Sequence, residues 1–338
     1  MTKELPICSL SVDLDNQWSY MKTHGDAGWE TFPSYLDLVV PRALEVLDRF
    51  GWKITFFIVG QDAALEKNRE ALQAIAAAGH EIGNHSFTHE PWLHLYTKQQ
   101  TADEITRAEE AIEAATGHRP RGFRGPGYSF SRATLEVLSE RDYLYDASTL
   151  PTYLGPIARA YYFRSARHLT PAQRRERELL YGRISDGIRP VAPYFWAIPG
   201  ATLLEIPVTT IPFFKLPFHF SYLLYIATHS PALALFYFRS ALGLCRIAGI
   251  QPSLLLHPLD FLGAEEGRAL GFFPAMAMAL ERKRTLMVRA LALLASRHRI
   301  VQLAEHAGVL FRGPALPSRP PPNGDLPRRG GGRSGLAR

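Results

Sequence analysis

Cysteine is nearly absent: the 338 residues hold two, Cys8 and Cys245. They lie far apart and form no CxxC, so neither a disulfide framework nor dithiol redox chemistry organises this chain, and a reducing compartment fits. The start, MTKELPICSLSVDLD, lacks a basic segment followed by an apolar run of leader length. No secretory leader is therefore expected, and the expected location is the cytoplasm, with peripheral contact at the inner face of the membrane as an option. No internal repeat is apparent. Charged residues are only 21% against 46% apolar, a globular composition with ample material for a core. The net charge of +6 could suit nucleic acid, anionic lipid or phosphorylated substrates. Part of it comes from the C-terminal tail, and no nucleic-acid partner is expected.

Short apolar runs alternate with longer amphipathic ones. Strands are expected at 7–15, 53–59, 80–86, 121–126, 143–148, 203–209, 252–258 and 299–303. Helices are expected at 33–50, 63–78, 98–116, 131–140, 171–182, 230–248 and 281–297. The alternation predicts parallel βαβ units in an α/β fold. Seven or eight of them predict an irregular (β/α) barrel, with a doubly wound open sheet as the alternative. One domain, 1–312, would carry insertions at about 149–200 and 211–238. From 313 to 338 the chain is rich in Pro, Gly and Arg without apolar periodicity, which predicts a disordered tail.

Five polar motifs fall at the expected strand ends. In SVDLD, Asp13 and Asp15 are two apart, so a strand points both to one face. Like charges at a buried strand end need a cation, a donor or a proton. In GHEIGNHSFTH, His85 and His89 are four apart, and on a helical turn they would share a face and could share a metal. In RGFRGPGYSFS, Arg124 can orient a carboxylate with its planar fork, and the Gly-Pro-Gly turn can aim backbone N–H groups at an oxyanion. Asp146 ends YLYD and His257 ends LLLH. Each motif alone is also compatible with loop residues, a surface turn or a helix cap. Their coincidence at the C-terminal ends of parallel strands is hard to explain by packing, and that is where such folds build active sites.

The ordered set D-x-D, HSxxH, RxPG, strand-end Asp and LLLHP resembles the polysaccharide deacetylase (NodB-homology) family, over roughly 7–150 and again at 203–260 and 299–303. The resemblance implies a divalent metal, zinc above all and otherwise cobalt, nickel or manganese, held by Asp15, His85 and His89. It implies Asp13 as general base, tuned by Arg124. The Gly127 N–H would stabilise the oxyanion, and His257 would protonate the leaving amine. Asp146 would sit behind His257 and keep it charged. Leu255 would line the acyl pocket, with Tyr128 as a further substrate-binding residue. Several features depart from the family pattern: Leu14 intervenes in the usual Asp-Asp pair, which leaves open a swap of base and ligand; Leu150 stands where a tryptophan often follows the motif aspartate; HPLD is a variant strand ending, so that Asp260 would either join the site or cap a helix; and the insertion at 149–200 has no simple counterpart.

The implied activity is metal-dependent hydrolysis of an N-acetyl or N-formyl group from an amino sugar of a glycan or lipid-linked glycan precursor. Alternatives are hydrolysis of a non-sugar linear or cyclic amide, or a catalytically silent glycan binder. A zinc peptidase would normally show HExxH, but residue 86 is Ser. The aromatic stretch 211–238, beside Lys215 and the basic segment near Arg174 and Arg175, is expected either to pack on the barrel or to meet a membrane surface.

Overall fold

In a computed structural model of the chain, residues 5–166, 168–266 and 270–322 are described. Among the described residues ten strands form one sheet: β1 (Ile7–Asp13), β2 (Thr55–Ile58), β3 (Glu81–Asn84), β4 (Gly122–Phe123), β5 (Tyr145–Asp146), β6 (Tyr194–Ile198), β7 (Ala201–Glu205), β8 (Ser253–Leu256), β9 (Arg299–Val301) and β10 (Ser318–Arg319). The order is β10-β6-β7-β5-β4-β3-β2-β1-β8, with β9 also on β1. Every pairing is parallel except the β6–β7 hairpin.

This α/β architecture corrects the expected barrel in one respect: the sheet is not closed. No ladder joins β7 to β8. Their gap is spanned instead by the segment after β7, where Thr209 N–H donates to Ser253 O (2.9 Å) and Ser253 N–H donates to Thr209 Oγ1 (2.8 Å). The antiparallel β6 lies inside the 149–200 insertion and turns into β7 at Gly200, whose φ of 77° suits a residue without Cβ. The tail expected from 313 onward begins with β10, which pairs with β6; its positions 323–338 lie outside the described residues.

Alternation along β1 separates two environments. Leu10, Val12 and Leu14 join the main apolar cluster with the helices Leu36–Arg49 and Pro231–Ile247. Ser9, Ser11, Asp13 and Asp15 alternate with them and are all buried. Ser9 Oγ bonds His306 Nδ1 (2.9 Å) on the helix Leu303–Arg312, so the polar side of β1 faces the sheet's other surface. A second cluster, with Phe57, Tyr145 and Leu204, fills that side. A polar row is thus held rigidly in an apolar frame.

The 211–238 segment packs inward in part and leaves Phe213, Phe214, Tyr225, Leu233 and Phe236 exposed. Phe218 and Phe220 are buried, and the helix Pro231–Ile247 buries Ala234, Phe238, Ala241, Leu242 and Cys245. Among the described residues no helix is long and apolar enough to cross a membrane.

Candidate active site

The strand ends bring the metal-binding candidates together. Asp15 Oδ1 lies 3.1 Å from His85 Nε2 and 2.9 Å from His89 Nε2, and all three residues are buried. The expected helical turn is absent. His85 and His89 sit on a loop after β3, in which Ser86 (φ 62°) and His89 (φ 51°) are left-handed. Such non-glycine conformations cost free energy and persist only where surroundings impose them. Here Ser86 N–H donates to Asn84 Oδ1 (2.8 Å), while Phe87 N–H, Thr88 N–H and Thr88 Oγ1 all converge on Glu104 Oε1. Glu104, from the helix Lys98–Thr116, was not legible as a site residue because its role is to hold a loop.

The donor set fits a divalent cation. His85 Nδ1 faces the Arg124 carbonyl at 2.6 Å, which requires Nδ1 to carry the proton and turns Nε2 toward Asp15. Burial pushes the Asp15 carboxyl up, but His89 and His85 outweigh it and hold it well below the ordinary range. Burial likewise opposes a charge on His85, and Asp13 and Asp15 more than compensate, raising it. A carboxylate ringed by two imidazoles at these separations is a place that favours positive charge. His₂Asp is also the ligand set that leaves positions open for water and substrate.

Arg124 is fully buried beside this group. Its Nη1 donates to Asp13 Oδ1 (2.6 Å) and Ser11 Oγ (2.8 Å), its Nε donates to Ala147 O (3.0 Å), and its guanidinium lies 4.3 Å from the Phe57 ring. Three fixed contacts make Asp13 a carboxylate of defined orientation. The turn after Arg124 has Gly127 at φ 57° and Tyr128 at φ 62°. Tyr128 and Ser129 N–H groups donate to Gly125 and Pro126 carbonyls, and neither bond uses the Gly127 N–H. A Cβ on Gly127 would come within 2.8 Å of Pro91 Cβ, so the position needs glycine on two counts.

His257 and Asp146 are placed differently from each other. β8 runs beside β1 with Val12 opposite Leu256, which carries His257 to the level of Asp13. Leu255, opposite Ser11, is fully buried. The expected contact of Asp146 with His257 does not form. Asp146 accepts from Ser148 Oγ (2.5 Å) and lies in register with Glu205 on β7. Burial raises both carboxyls, and the charge of Asp146 raises Glu205 further, as for two acids sharing a proton.

The His257 imidazole is held instead by Ser221 and Asp260. Ser221 Oγ is 3.0 Å from His257 Nδ1 and donates to Asp260 Oδ1 (3.3 Å), while Asp260 Oδ2 accepts from the His257 backbone N–H (2.8 Å). A hydroxyl that donates to a carboxylate accepts from Nδ1–H, leaving Nε2 as the outward nitrogen. Ser221 comes from the helix Phe220–Ala227, which the periodicity did not reveal, and only the fold brings it to His257.

The comparisons bear on this geometry. Residues 23–145 match the family model described as polysaccharide deacetylase. Over this stretch the chain is similar to polysaccharide deacetylases. It is 29% identical over 163 residues to a peptidoglycan deacetylase of Helicobacter pylori, covering 46% of this chain and 53% of that protein. It is 30% identical over 115 residues to a peptidoglycan-N-acetylglucosamine deacetylase of Bacillus cereus, covering 34% and 41% respectively. The chain thus spans about half the length of these relatives or less. In fold, it is similar to a crystal structure from Mycobacterium smegmatis described as a candidate polysaccharide deacetylase, with TM-score 0.59 and 20% identity over 94% of this chain and 97% of that one. The match covers the motifs of His85 and His89 and of Arg124 and Gly127 entirely, begins after Asp13 and Asp15, and stops before Asp146 and His257.

Proposed function

We propose that the chain hydrolyses an N-acyl group from an amino sugar. The observation that carries this is one convergence at the end of β1: the Asp13–Arg124 pair stands beside the Asp15, His85 and His89 group, and β8 brings His257 to the same level. Asp15, His85 and His89 would hold a divalent metal, zinc foremost, which when bound polarises the amide carbonyl and makes water a better nucleophile. Asp13 removes a proton from the attacking water as it adds to the acyl carbon. The Gly127 N–H donates to the carbonyl oxygen as negative charge grows there. His257 Nε2 gives a proton to the sugar nitrogen as the C–N bond breaks, so one water yields a carboxylic acid and a free amine. Leu255 and Tyr128 line the acyl end. Ser221 and Asp260 replace Asp146 as the groups that set the imidazole.

That replacement has its own test. Ser221→Ala is expected to lower kcat about 10-fold with little change in KM, on the scale of a lost positioning contact in acid–base catalysis. Ser221→Thr, which keeps the hydroxyl, restores it. In nitrogen NMR the His257 ring should hold its Nδ1–H tautomer in wild type and in Ser221→Thr, and lose that preference in Ser221→Ala. Equal spectra for all three chains would remove the hydroxyl from this role.

A lipid-linked form of the substrate is favoured by a specific surface. Phe213 (74%), Phe214 (62%) and Ile188 (74%) are exposed, and Lys215 Nζ joins the two segments by donating to Arg189 O (2.6 Å). Aromatic rings flanked by cations suit the headgroup level of an anionic membrane. Arg174 is engaged elsewhere, on the Leu169 and Ala166 carbonyls. The test is to incubate the metal-loaded chain with N-acetylated and N-formylated amino sugars, free and lipid-linked, and follow acyl loss by mass spectrometry. Faster loss from the lipid-linked sugar supports both statements. Equal rates would remove the lipid, and no loss from any sugar would refute the proposed activity.

A further inference from the structure

A second set of ligand-type side chains meets at the far end of the helix Gln17–His24, which starts just after Asp15. The sequence there reads His24, Gly25, Asp26. Gly25 is left-handed (φ 88°) and closes the helix: its N–H donates to Lys22 O (3.2 Å), and Asp26 N–H donates to Met21 O (2.9 Å). This closure turns the chain back, so that Asp26 Oδ1 lies 2.8 Å from His24 Nδ1. The third side chain, His168, comes from the 149–200 insertion. It passes over the glycine, with Nε2 3.2 Å from where a Cβ on Gly25 would stand. The same Nε2 is 3.8 Å from Asp26 Oδ1. The insertion is already fastened to this helix end: Tyr162 OH donates to Thr23 O, and Arg177 donates to Thr23 O (2.8 Å) and Lys22 O (3.1 Å).

One donor atom from each of the three residues lies within 4.8 Å of the others. Donors at zinc-bond lengths on one tetrahedral ion are about 3.3 Å apart, and the 2.8 and 3.8 Å separations fall either side of that value. His24 is the rigid member. It is buried, stacks flat on Phe272 (4.0 Å between centroids, 7° between planes) and meets the Tyr162 ring edge-on at 5.8 Å. Its Nε2 is buried with no hydrogen-bond partner among the described residues. A histidine kept for hydrogen bonding would satisfy both nitrogens. This one is fixed by packing, with a single polar contact on a carboxylate. An ion pair with Asp26 needs only one imidazole, and charging the second would bring a like charge within 4.8 Å. One divalent ion satisfies both rings and the carboxylate together.

We propose that His24, Asp26 and His168 bind a second divalent cation of the zinc class, which ties the 149–200 insertion to the helix after Asp15. Two imidazoles and a carboxylate suit zinc, cobalt or nickel rather than magnesium or calcium. The His168 and Asp26 side chains are 46% and 31% exposed, so water completes the coordination and the ion exchanges readily. The purified chain therefore keeps the ion at the buried Asp15 group and takes up this one on titration. The proposal is independent of the N-deacylase reading, because its readout is binding. Zinc is titrated by calorimetry into wild type, His168→Ala and Asp26→Asn. Wild type should take up one ion more per chain than either variant. With zinc at ten times the dissociation constant, protease cleavage within 149–200 should slow about 10-fold in wild type and stay unchanged in His168→Ala. A His85→Ala/His89→Ala chain should still take up the extra ion, which separates it from the Asp15 group. Equal uptake by wild type and His168→Ala would overturn the proposal, as would zinc-independent cleavage of wild type. Loss of the extra ion from the His85→Ala/His89→Ala chain, with its far-ultraviolet circular dichroism unchanged, would do the same. If that chain does not fold, the comparison of wild type with His168→Ala, whose changed side chain is exposed, decides alone.

Discussion

Asp13→Asn is expected to keep a bound metal and lose turnover by roughly 10²- to 10⁴-fold, the usual worth of a general base. The amide has the shape of the carboxylate and can still accept from Arg124 Nη1, now 2.6 Å from Asp13 Oδ1, but it cannot take a proton from water at neutral pH. It also leaves a fully buried guanidinium without its carboxylate. Removing one partner of a buried ion pair costs about 3–5 kcal/mol, and the retained hydrogen bond puts this change toward the lower end. A lower melting temperature should therefore accompany the lost rate. Steady-state kinetics with melting by circular dichroism checks both. A near-wild-type rate would take Asp13 out of the base role and turn attention to a swap with Asp15.

His85→Ala and His89→Ala are expected to release the metal while leaving the fold in place. Each deletes one of the two imidazole nitrogens beside Asp15 Oδ1, and a His-Asp remnant is a poor site for zinc. His85→Ala also removes the contact with the Arg124 carbonyl, so its melting temperature should fall further than that of His89→Ala. Metal content by elemental analysis, with far-ultraviolet circular dichroism as the fold control, reads the result. Full occupancy in both variants would refute the assignment.

Much of the frame was legible because it is local. Period-two alternation in SLSVDLD carries Ser9, Ser11, Asp13 and Asp15 to one face, and that survives into the fold without change. The helices with long apolar stripes, such as Leu36–Arg49 and Lys98–Thr116, fall within a few residues of their expected spans. What was not legible depends on contacts between distant segments. The four-residue spacing of His85 and His89 suggested a helical turn, whereas Glu104 and Asn84 bend the chain into a loop with the same outcome. The resemblance implied Asp146 as a partner for His257, but β7 pairs with β5 and sets Glu205 in register with Asp146. Ser221 reaches His257 from a helix that periodicity does not mark, whereas Asp260, open in the HPLD motif to joining the site or capping a helix, accepts from the His257 backbone N–H. The aromatic run Tyr194–Ile198 concealed a strand, β6, because both its faces carry rings and no alternation shows.

The most direct measurement is acyl release from an N-acetylated amino-sugar oligosaccharide by the purified chain, before chelation, after chelation, and after a divalent metal is returned. The Asp15, His85 and His89 group and the Asp13–Arg124 pair predict steady acetate release with about one metal ion per chain, loss of both on chelation, and recovery of both on addition of zinc or cobalt. Acetate release that continues unchanged in the metal-free chain, or a fully metal-loaded chain that releases none from any amino sugar, would contradict it.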